Sequence, residues 1–436
     1  AVHALRDYQK PPAPRTARIP IDFLLVATLF FAGGVIAAPW VIGEAVGYFY
    51  QPHILALVHT FTLGWITAAI MGVMYRYVPA LARRELPFPR LAFPQLVLFV
   101  VGIIGMIMHF AIGIWTGTWS AAIVVIISIL MFAANLLPCL WPHTGRGVAE
   151  TGMFLSIVFL LTAATIGFVL ALDKTFGFLG GSVITNLAGH AHFAAVGWVT
   201  LTICAVSYRM LPAFLLPKVQ LPKNTLWQLY ALALGVVGLG VTLFTGLPGL
   251  TGWAVLIVLA LVAYIASVGR IVRTRRMPLD WTARHALAGV IWLLVAGGLG
   301  IALTRLGTQS VAGARIAAAY GTLGLAGWIG NFIIGMSYHL FPGFVSRART
   351  ALKWRAITVA DLTAAGPRWF VFAAFNAGLA LLVAGFLTGS VKIAIGAAAL
   401  IEVGGLIYAA MTLWTLSYAY RRTPRIAATS PAKASG

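Results

Sequence analysis

The sequence predicts an all-α, polytopic membrane protein with twelve transmembrane helices in three pseudo-repeated blocks of four. Its composition is 61% hydrophobic and 9% charged over 436 residues, and its mean hydropathy is +0.95. Apolar runs of about 20 residues, long enough to cross the hydrocarbon core of a bilayer, recur along its whole length. One helical segment also occurs three times. These observations exclude a soluble globular enzyme.

The repeated segment marks the same position in each block. Residues 59–79 and 192–212 are identical at nine of 21 positions, and residues 322–342 form a third copy. The first two copies begin with His59 and His192, whereas the third begins with Thr322. Spacings of 133 and 130 residues are too long for a solenoid unit, so each copy belongs to a block of several helices.

The twelve apolar runs are separated by short loops rich in Pro, Gly or basic residues. We predict a single membrane domain over residues 1–436, with blocks at 21–139, 151–271 and 285–420. A Pro/Ala/Ser-rich tail at 421–436 is predicted to be disordered and cytoplasmic. The predicted spans are 21–43, 53–80, 92–114, 119–139, 151–172, 187–214, 226–246, 251–271, 285–304, 312–341, 367–388 and 391–420.

The basic residues predict the orientation. If the N-terminus is cytoplasmic, 26 of the 30 Lys and Arg residues fall on the cytoplasmic side; the others are Lys174, Arg305, Arg315 and Lys392. This bias follows the positive-inside rule and predicts a bacterial-type inner membrane with both termini cytoplasmic. The N-terminal segment lacks the apolar core of a cleaved signal peptide. The net charge of +21 therefore indicates contact with anionic lipid, not nucleic acid.

Five of the nine histidines are predicted to share one layer near the outer membrane surface: His53, His59, His109, His190 and His192. Ionisable residues inside membrane spans are costly and usually functional. Residues 190 and 192 project about 200° apart on a helix, so both cannot easily ligate one centre. Because His59 and His192 hold equivalent repeat positions, we predict that they are the principal ligands of one outer-leaflet cofactor. The other three, His53, His109 and His190, are further candidate ligands.

The remaining candidates are weaker. Arg305 and Arg315 are outer-side cations that could pair with the propionates of a haem. Glu402 stands alone in the middle of the last span, where a carboxylate could relay protons. Cys139 and Cys204 are predicted to be buried free thiols. The other histidines are expected at the cytoplasmic surface or at inner helix ends, as solvated or snorkelling imidazoles without a role; they are His3, His143, His285 and His339.

Twelve helices in three blocks, with histidines entering helices 2 and 6 from the outer side and an H-x-H-x4-G-W segment at 190–198, resemble subunit I of the haem-copper oxidase superfamily. The C-type oxidase and nitric oxide reductase branch is the most similar, and the haem- and copper-containing nitric-oxide-response membrane proteins are a looser match. The resemblance implies that His59 is a low-spin haem ligand and that His192 or His190 is a copper ligand.

The sequence also departs from that family. Predicted helix 7 has no histidine, and predicted helix 10 has Tyr320 and Thr322 but no haem-ligating histidine. Four of the six ligand histidines that the resemblance implies are therefore missing, and an ordinary terminal oxidase is not expected.

These observations favour a haem-b-binding membrane subunit that transfers electrons between quinol and a periplasmic carrier, a cytochrome c or a cupredoxin, inside a respiratory complex. Two alternatives remain open. One is a copper or haem-copper protein for nitric oxide handling or metal delivery, because a cluster of imidazoles suits copper. The other is a cofactor-poor assembly or structural subunit, or a transporter.

Overall fold

The computed structural model describes residues 16–143, 145, 147–218, 225–363 and 366–421. Within these ranges the chain is helical without a strand, and twelve helices are long and apolar enough to cross a membrane. The all-α, polytopic membrane fold is therefore confirmed, and each predicted span overlaps one helix. Most of the tail predicted at 421–436 lies outside the described residues.

The helices are numbered in chain order. They are α1 Ile19–Gly47, α2 Pro52–Ala82, α3 Pro89–Ala111, α4 Trp115–Leu140, α5 Val148–Phe176, α6 Val183–Leu215, α7 Leu226–Thr245, α8 Leu250–Arg273, α9 Trp281–Leu306, α10 Val311–Ala351, α11 Arg368–Thr388 and α12 Val391–Ser417. The three helices that carry the repeated segment are α2, α6 and α10. Of all twelve, α2 and α6 are the most buried over their most apolar stretch, at 67% and 72%.

The loops alternate between two ends of the bundle. The end formed by residues 48–51, 112–114, 177–182, 246–249, 307–310 and 389–390 is called the histidine end, and the opposite end is called the basic end. At the histidine end, the Lys174 ammonium lies over the rings of Tyr50 and Trp115, which joins three loops. At the basic end, the Lys218 N–H donates to the Thr274 carbonyl and joins two more.

Helix ends follow local backbone chemistry. α5 stops at Gly177, whose φ of +63° is left-handed and whose N–H donates to the Asp173 carbonyl. Glycine occupies this conformation without the steric cost of a Cβ atom, and it closes the last turn of the helix. This stop places Asp173 and Lys174 in the last turn of α5, at the histidine end.

α2, α6 and α10 change to π-helical geometry at the same repeat position. The π segments are Thr60–Thr67, Phe193–Thr200 and Leu323–Gly330, and they begin directly after His59, His192 and Thr322. A π turn is wider than an α turn and changes the direction of the side chains that flank it; such turns are frequent at functional sites.

Contacts between the π segments follow a cyclic order. Trp198 donates to the Thr67 hydroxyl at 3.2 Å, and the equivalent Trp328 donates to the equivalent Thr200 at 3.0 Å. The third equivalent position is Gly330, which lies against the Trp65 ring. The second block therefore contacts the first as the third contacts the second.

Candidate functional site

The cyclic order of the blocks determines which side chains meet. In a ring of three blocks, a given repeat position points toward a different interface in each block. The two histidines of α6, His190 and His192, therefore lie at two different interfaces between blocks. At the first interface His59 and His190 line one cavity, and at the second His192 bonds to Tyr320. The same repeat positions in the third interface are Thr322 and Leu57.

A cavity of about 70 Å³ lies between the first two blocks, at the histidine end. It is bounded by α2, α3 and α4 on one side and by α5 and α6 on the other. Both His59 and His190 line it, together with Lys174 and the aromatic side chains Tyr50, Phe110 and Trp115.

The backbone orients the His59 ring. Its Nδ1 atom lies 2.8 Å from the Leu55 carbonyl, and because a carbonyl can only accept, Nδ1 carries the proton. The lone pair of a neutral ring is then on Nε2. Histidines that bind metals are commonly fixed in this way by a hydrogen bond from the second ring nitrogen. The Phe110 ring packs on the imidazole, with centroids 4.7 Å apart.

His190 reaches the cavity because α5 has a glycine opposite it. A Cβ atom at Gly167 would lie 2.8 Å from Cε1 of the His190 ring. The buried Nδ1 atom of His190 has no hydrogen-bond partner of good geometry among the described residues.

A positive charge stands at the mouth of the cavity. The Lys174 ammonium lies 4.6 Å from the centre of the Tyr50 ring and 5.4 Å from that of Trp115. The neighbouring Asp173 carboxylate accepts a hydrogen bond from the Leu179 N–H at 2.6 Å. The mouth therefore offers an ammonium group, held by aromatic rings, to an anionic substituent of a ligand.

His192 has a different environment. Its Nδ1 donates to the Ala188 carbonyl at 2.7 Å, and its Nε2 accepts from the Tyr320 hydroxyl at 2.9 Å. Both ring nitrogens are thus satisfied within the protein. The structure brings His190, and not His192, to the cavity that His59 lines. That His59 and His192 are the ligands of one cofactor stays a prediction, which this placement does not favour. The reason is the cyclic order, in which equivalent positions face successive interfaces.

Two further histidines of the predicted layer do not line the cavity. His53 is half exposed and pairs with Glu44 of α1 at 2.9 Å. The Nδ1 of His109 donates to the Gly105 carbonyl at 2.6 Å, and its ring packs against Gly117 of α4. Of the five histidines, two therefore meet in one cavity.

The predicted propionate partners and the predicted proton carrier also lie elsewhere. Arg305 is exposed at the end of α9, and the Arg315 guanidinium packs against Gly389 at the end of α11. Neither lines the cavity between the first two blocks. Glu402 is partly exposed on α12, without a hydrogen-bond or ion-pair partner among the described residues.

The remaining predictions have mixed outcomes. Cys139 and Cys204 are buried free thiols, as predicted. The expectation that His285 is a solvated histidine is wrong, because this histidine is 0% exposed. Its Nδ1 lies 2.8 Å from the Asn331 side-chain oxygen. His339 is partly exposed and pairs with Asp280 at 2.6 Å. His3 and the side chain of His143 lie outside the described residues.

Sequence reasoning did not assign Lys174 or Gly167 to the site. A usable signal existed for Lys174, since it is one of four basic residues expected on the outer side. No comparable signal existed for Gly167, because its role depends on how α5 packs against α6. Among the described residues, no group of three or more His, Cys, Asp or Glu side chains could hold a metal ion.

No protein-family model matches the chain, and no curated protein matches it significantly. The likeness to subunit I of the haem-copper oxidases therefore stays a prediction, and the function has to be argued from the residues of the site.

Proposed function

We propose that this protein is a membrane redox subunit that binds one haem b between His59 and His190. The observation that supports this proposal is that two imidazoles from neighbouring blocks line a single cavity below a lysine ammonium. Two neutral imidazoles are the ligand set of a six-coordinate, low-spin haem. When bound, the haem would supply one-electron transfer, and the protein supplies orientation and electrostatics.

The donor set fits haem better than a metal ion held by protein alone. A protein-bound copper or zinc ion ordinarily takes three or four side-chain ligands, whereas the described residues offer two imidazoles here. The ammonium of Lys174 suits a haem propionate. A porphyrin is larger than a cavity of about 70 Å³, so its binding requires side chains of the wall to move.

That volume gives one reason to keep a copper protein as the second candidate. A copper ion with small exogenous ligands needs less space than a porphyrin, so it requires less movement of the cavity walls. Such a protein would handle nitric oxide or deliver metal at the same site.

The position of the site supports a direction of electron transfer. We propose that the basic end is cytoplasmic in a bacterial-type inner membrane, because it carries most of the Lys and Arg residues. The histidine end then faces the periplasm, and the cofactor lies within reach of a periplasmic cytochrome c or cupredoxin. Quinol is proposed as the other electron carrier of the respiratory complex.

The optical spectrum and the metal content of the purified protein test this proposal. A low-spin haem gives a Soret band and sharp reduced bands with about one iron per chain. Copper without a Soret band would instead support the second candidate, a copper protein. Protein that inserts and folds but holds neither metal after reconstitution with haem and with copper would contradict both proposals.

Lys174→Met is expected to lower the reduction potential of the bound cofactor by tens of millivolts. The ammonium at the mouth stabilises the reduced form, which carries one more electron, and the effect is strong where water is excluded. The measurement is a spectroscopic redox titration. Lys174→Arg should keep the potential, and Lys392→Met, at an exposed position on α12, is the control. An unchanged potential in Lys174→Met would place the cofactor away from this cavity.

A further inference from the structure

The basic end of the third block differs from the basic ends of the other two. The repeated tyrosine of α2, Tyr75, donates to Gln95 of α3 at 3.1 Å. In the second block, Tyr208 donates to Gln228 of α7, also at 3.1 Å. The third repeated tyrosine is Tyr338, and its hydroxyl is buried without a hydrogen-bond partner among the described residues.

The missing partner can be traced to one position of α11. α3, α7 and α11 each cross the next helix at a glycine that has no room for a Cβ atom; these are Gly102, Gly235 and Gly378. Counting back seven residues from each glycine gives Gln95, Gln228 and Val371. Val371 is 1% exposed and cannot accept a hydrogen bond, so the third block lacks the side chain that satisfies the tyrosine in the other two.

A small cavity lies beside the Tyr338 side chain. Its volume is about 20 Å³, and its walls include Tyr338, Ser337, Thr412 and Arg368. A buried water needs roughly 10–15 Å³ of such space and two to four polar partners. The cavity therefore has the size and the lining for a bound water. Arg368 and Thr363, which are both partly exposed, connect it to the surface of the basic end.

A buried polar network lies beside this cavity. The rings of His285 and Tyr338 are 5.9 Å apart. Asn331 donates to the Gly327 carbonyl at 2.9 Å and to Asn376 at 3.1 Å, which uses both of its N–H groups. Its oxygen can then only accept, so Nδ1 of His285 carries a proton and donates to it at 2.8 Å. The lone pair of His285 is on Nε2, which is buried without a partner among the described residues.

In the described parts of the other two blocks, the positions equivalent to His285 and Asn331 carry no polar side chain. Phe23 packs on Gly72 and Gly152 packs on Ala205, as His285 packs on Gly335. The repeat positions of Asn331 are Ala68 and Leu201. Apolar or small residues thus serve the same packing role in the first two blocks, so the polar groups of the third block are not required by the fold. Buried polar groups inside membrane spans that the fold does not require are usually functional.

We propose that the third block contains a hydrated proton-binding site, in which water beside Tyr338 gives protons from the basic end access to His285. In this step a proton leaves water of the aqueous phase and binds to the Nε2 lone pair. The product is an imidazolium whose Nδ1–H bond to Asn331 is unchanged. The site is separate from the cavity of His59 and His190, and the inference does not depend on the proposed cofactor.

Charged groups and phenols surround this site from every helix packed against it. The charged or titratable side chains are Asp280 and Arg284 of the α9 end, His339 of α10 and Arg368 of α11, and the neutral phenols are Tyr338 of α10 and Tyr408 of α12. Burial alone would raise the pKa of the Asp280 carboxyl, but hydrogen bonds from His339 and from the Ala283 N–H lower it below its usual range. Asp280 therefore stays ionised beside His339.

Exchange of the imidazole C2 hydrogen for deuterium, followed by mass spectrometry in the folded protein, tests the proposal. This exchange requires that water and protons reach the ring. We expect His285 to exchange several-fold faster than His192, whose two ring nitrogens are satisfied by protein groups. We expect Val371→Gln, which restores the glutamine of the other blocks, to slow exchange at His285 and to leave His192 unchanged.

Two outcomes would overturn the proposal. One is exchange at His285 as slow as at His192 in the wild-type protein. The other is exchange at His285 that is fast but insensitive to closing the cavity. If Val371→Gln does not insert, Thr412→Leu fills the same cavity from α12 and serves as the second variant. Independently, a high-resolution density map of the wild-type protein should show a water beside the Tyr338 hydroxyl, and a dry cavity would contradict the inference.

Discussion

Alanine at His59 or at His190 is expected to abolish the low-spin haem spectrum, whereas alanine at His192 leaves it intact. Each of the first two substitutions removes one of the two imidazoles that line the cavity between the first two blocks. A haem with one remaining ligand becomes five-coordinate or is lost. His192 is hydrogen-bonded to Tyr320 instead. The measurement is the reduced-minus-oxidised optical spectrum of each purified variant.

Insertion and folding are controlled by variants that keep the cavity. His109→Ala removes a histidine of the same layer that does not line it, and Tyr320→Phe removes the partner of His192. Both should elute as the wild-type protein does and keep its spectrum. A spectrum that survives in His190→Ala but is lost in His192→Ala would support the pairing expected from equivalent repeat positions and would reject the one argued from the cyclic order.

The helices could be predicted from hydropathy because a bilayer demands continuous apolar helices of nearly fixed length. The π segments that follow His59 and His192 could not. Their glycines and β-branched residues lower helix propensity but do not specify a wider turn. The π segments also contact neighbouring blocks, as in the bond from Trp198 to Thr67. Local sequence carries little information about such long-range contacts.

The site was predicted in part. The layer of histidines and the choice of His59 followed from depth, which can be read from position along a span. The choice between His190 and His192 required rotation about the helix axis and the order of the blocks. The repeat contained a signal for this choice. Tyr320 holds the repeat position of His190, and His192 holds that of His59, so the contact between His192 and Tyr320 corresponds to a pair of His59 with His190. Equal depth alone could not distinguish the interfaces.

His285 shows the same limit of reasoning from depth. Its position near the end of a span favoured an exposed imidazole, yet the structure buries it against Gly335 and bonds it to Asn331. The small size of Gly335 lets α9 and α10 approach closely and covers the ring. Its environment therefore depends on a neighbouring helix, whose hydrogen-bonded residue Asn331 lies 46 residues further along the sequence.

Asn331→Leu is expected to lower the free energy of unfolding by about 2–4 kcal/mol, the cost of leaving buried polar groups of α9 and α11 without a partner. Leucine stands at the equivalent position of the second block, Leu201, where it is also fully buried, so the helix itself accepts this side chain. The loss should come from the stranded Nδ1–H of His285 and the weakened bonding of Asn376. Unfolding in mixed micelles of increasing denaturing detergent measures it.

The double variant Asn331→Leu/His285→Leu separates this cause from simple misfit. Removing both partners of a buried hydrogen bond costs less than stranding one of them. We therefore expect the double variant to recover part of the stability that Asn331→Leu loses. The remaining deficit should reflect Asn376, which keeps its bonds to Trp292 and to the Phe372 carbonyl. Additive losses from the two substitutions would mean that leucine is not accommodated at one of the two positions, and that the hydrogen bond between His285 and Asn331 contributes little to the stability of the third block.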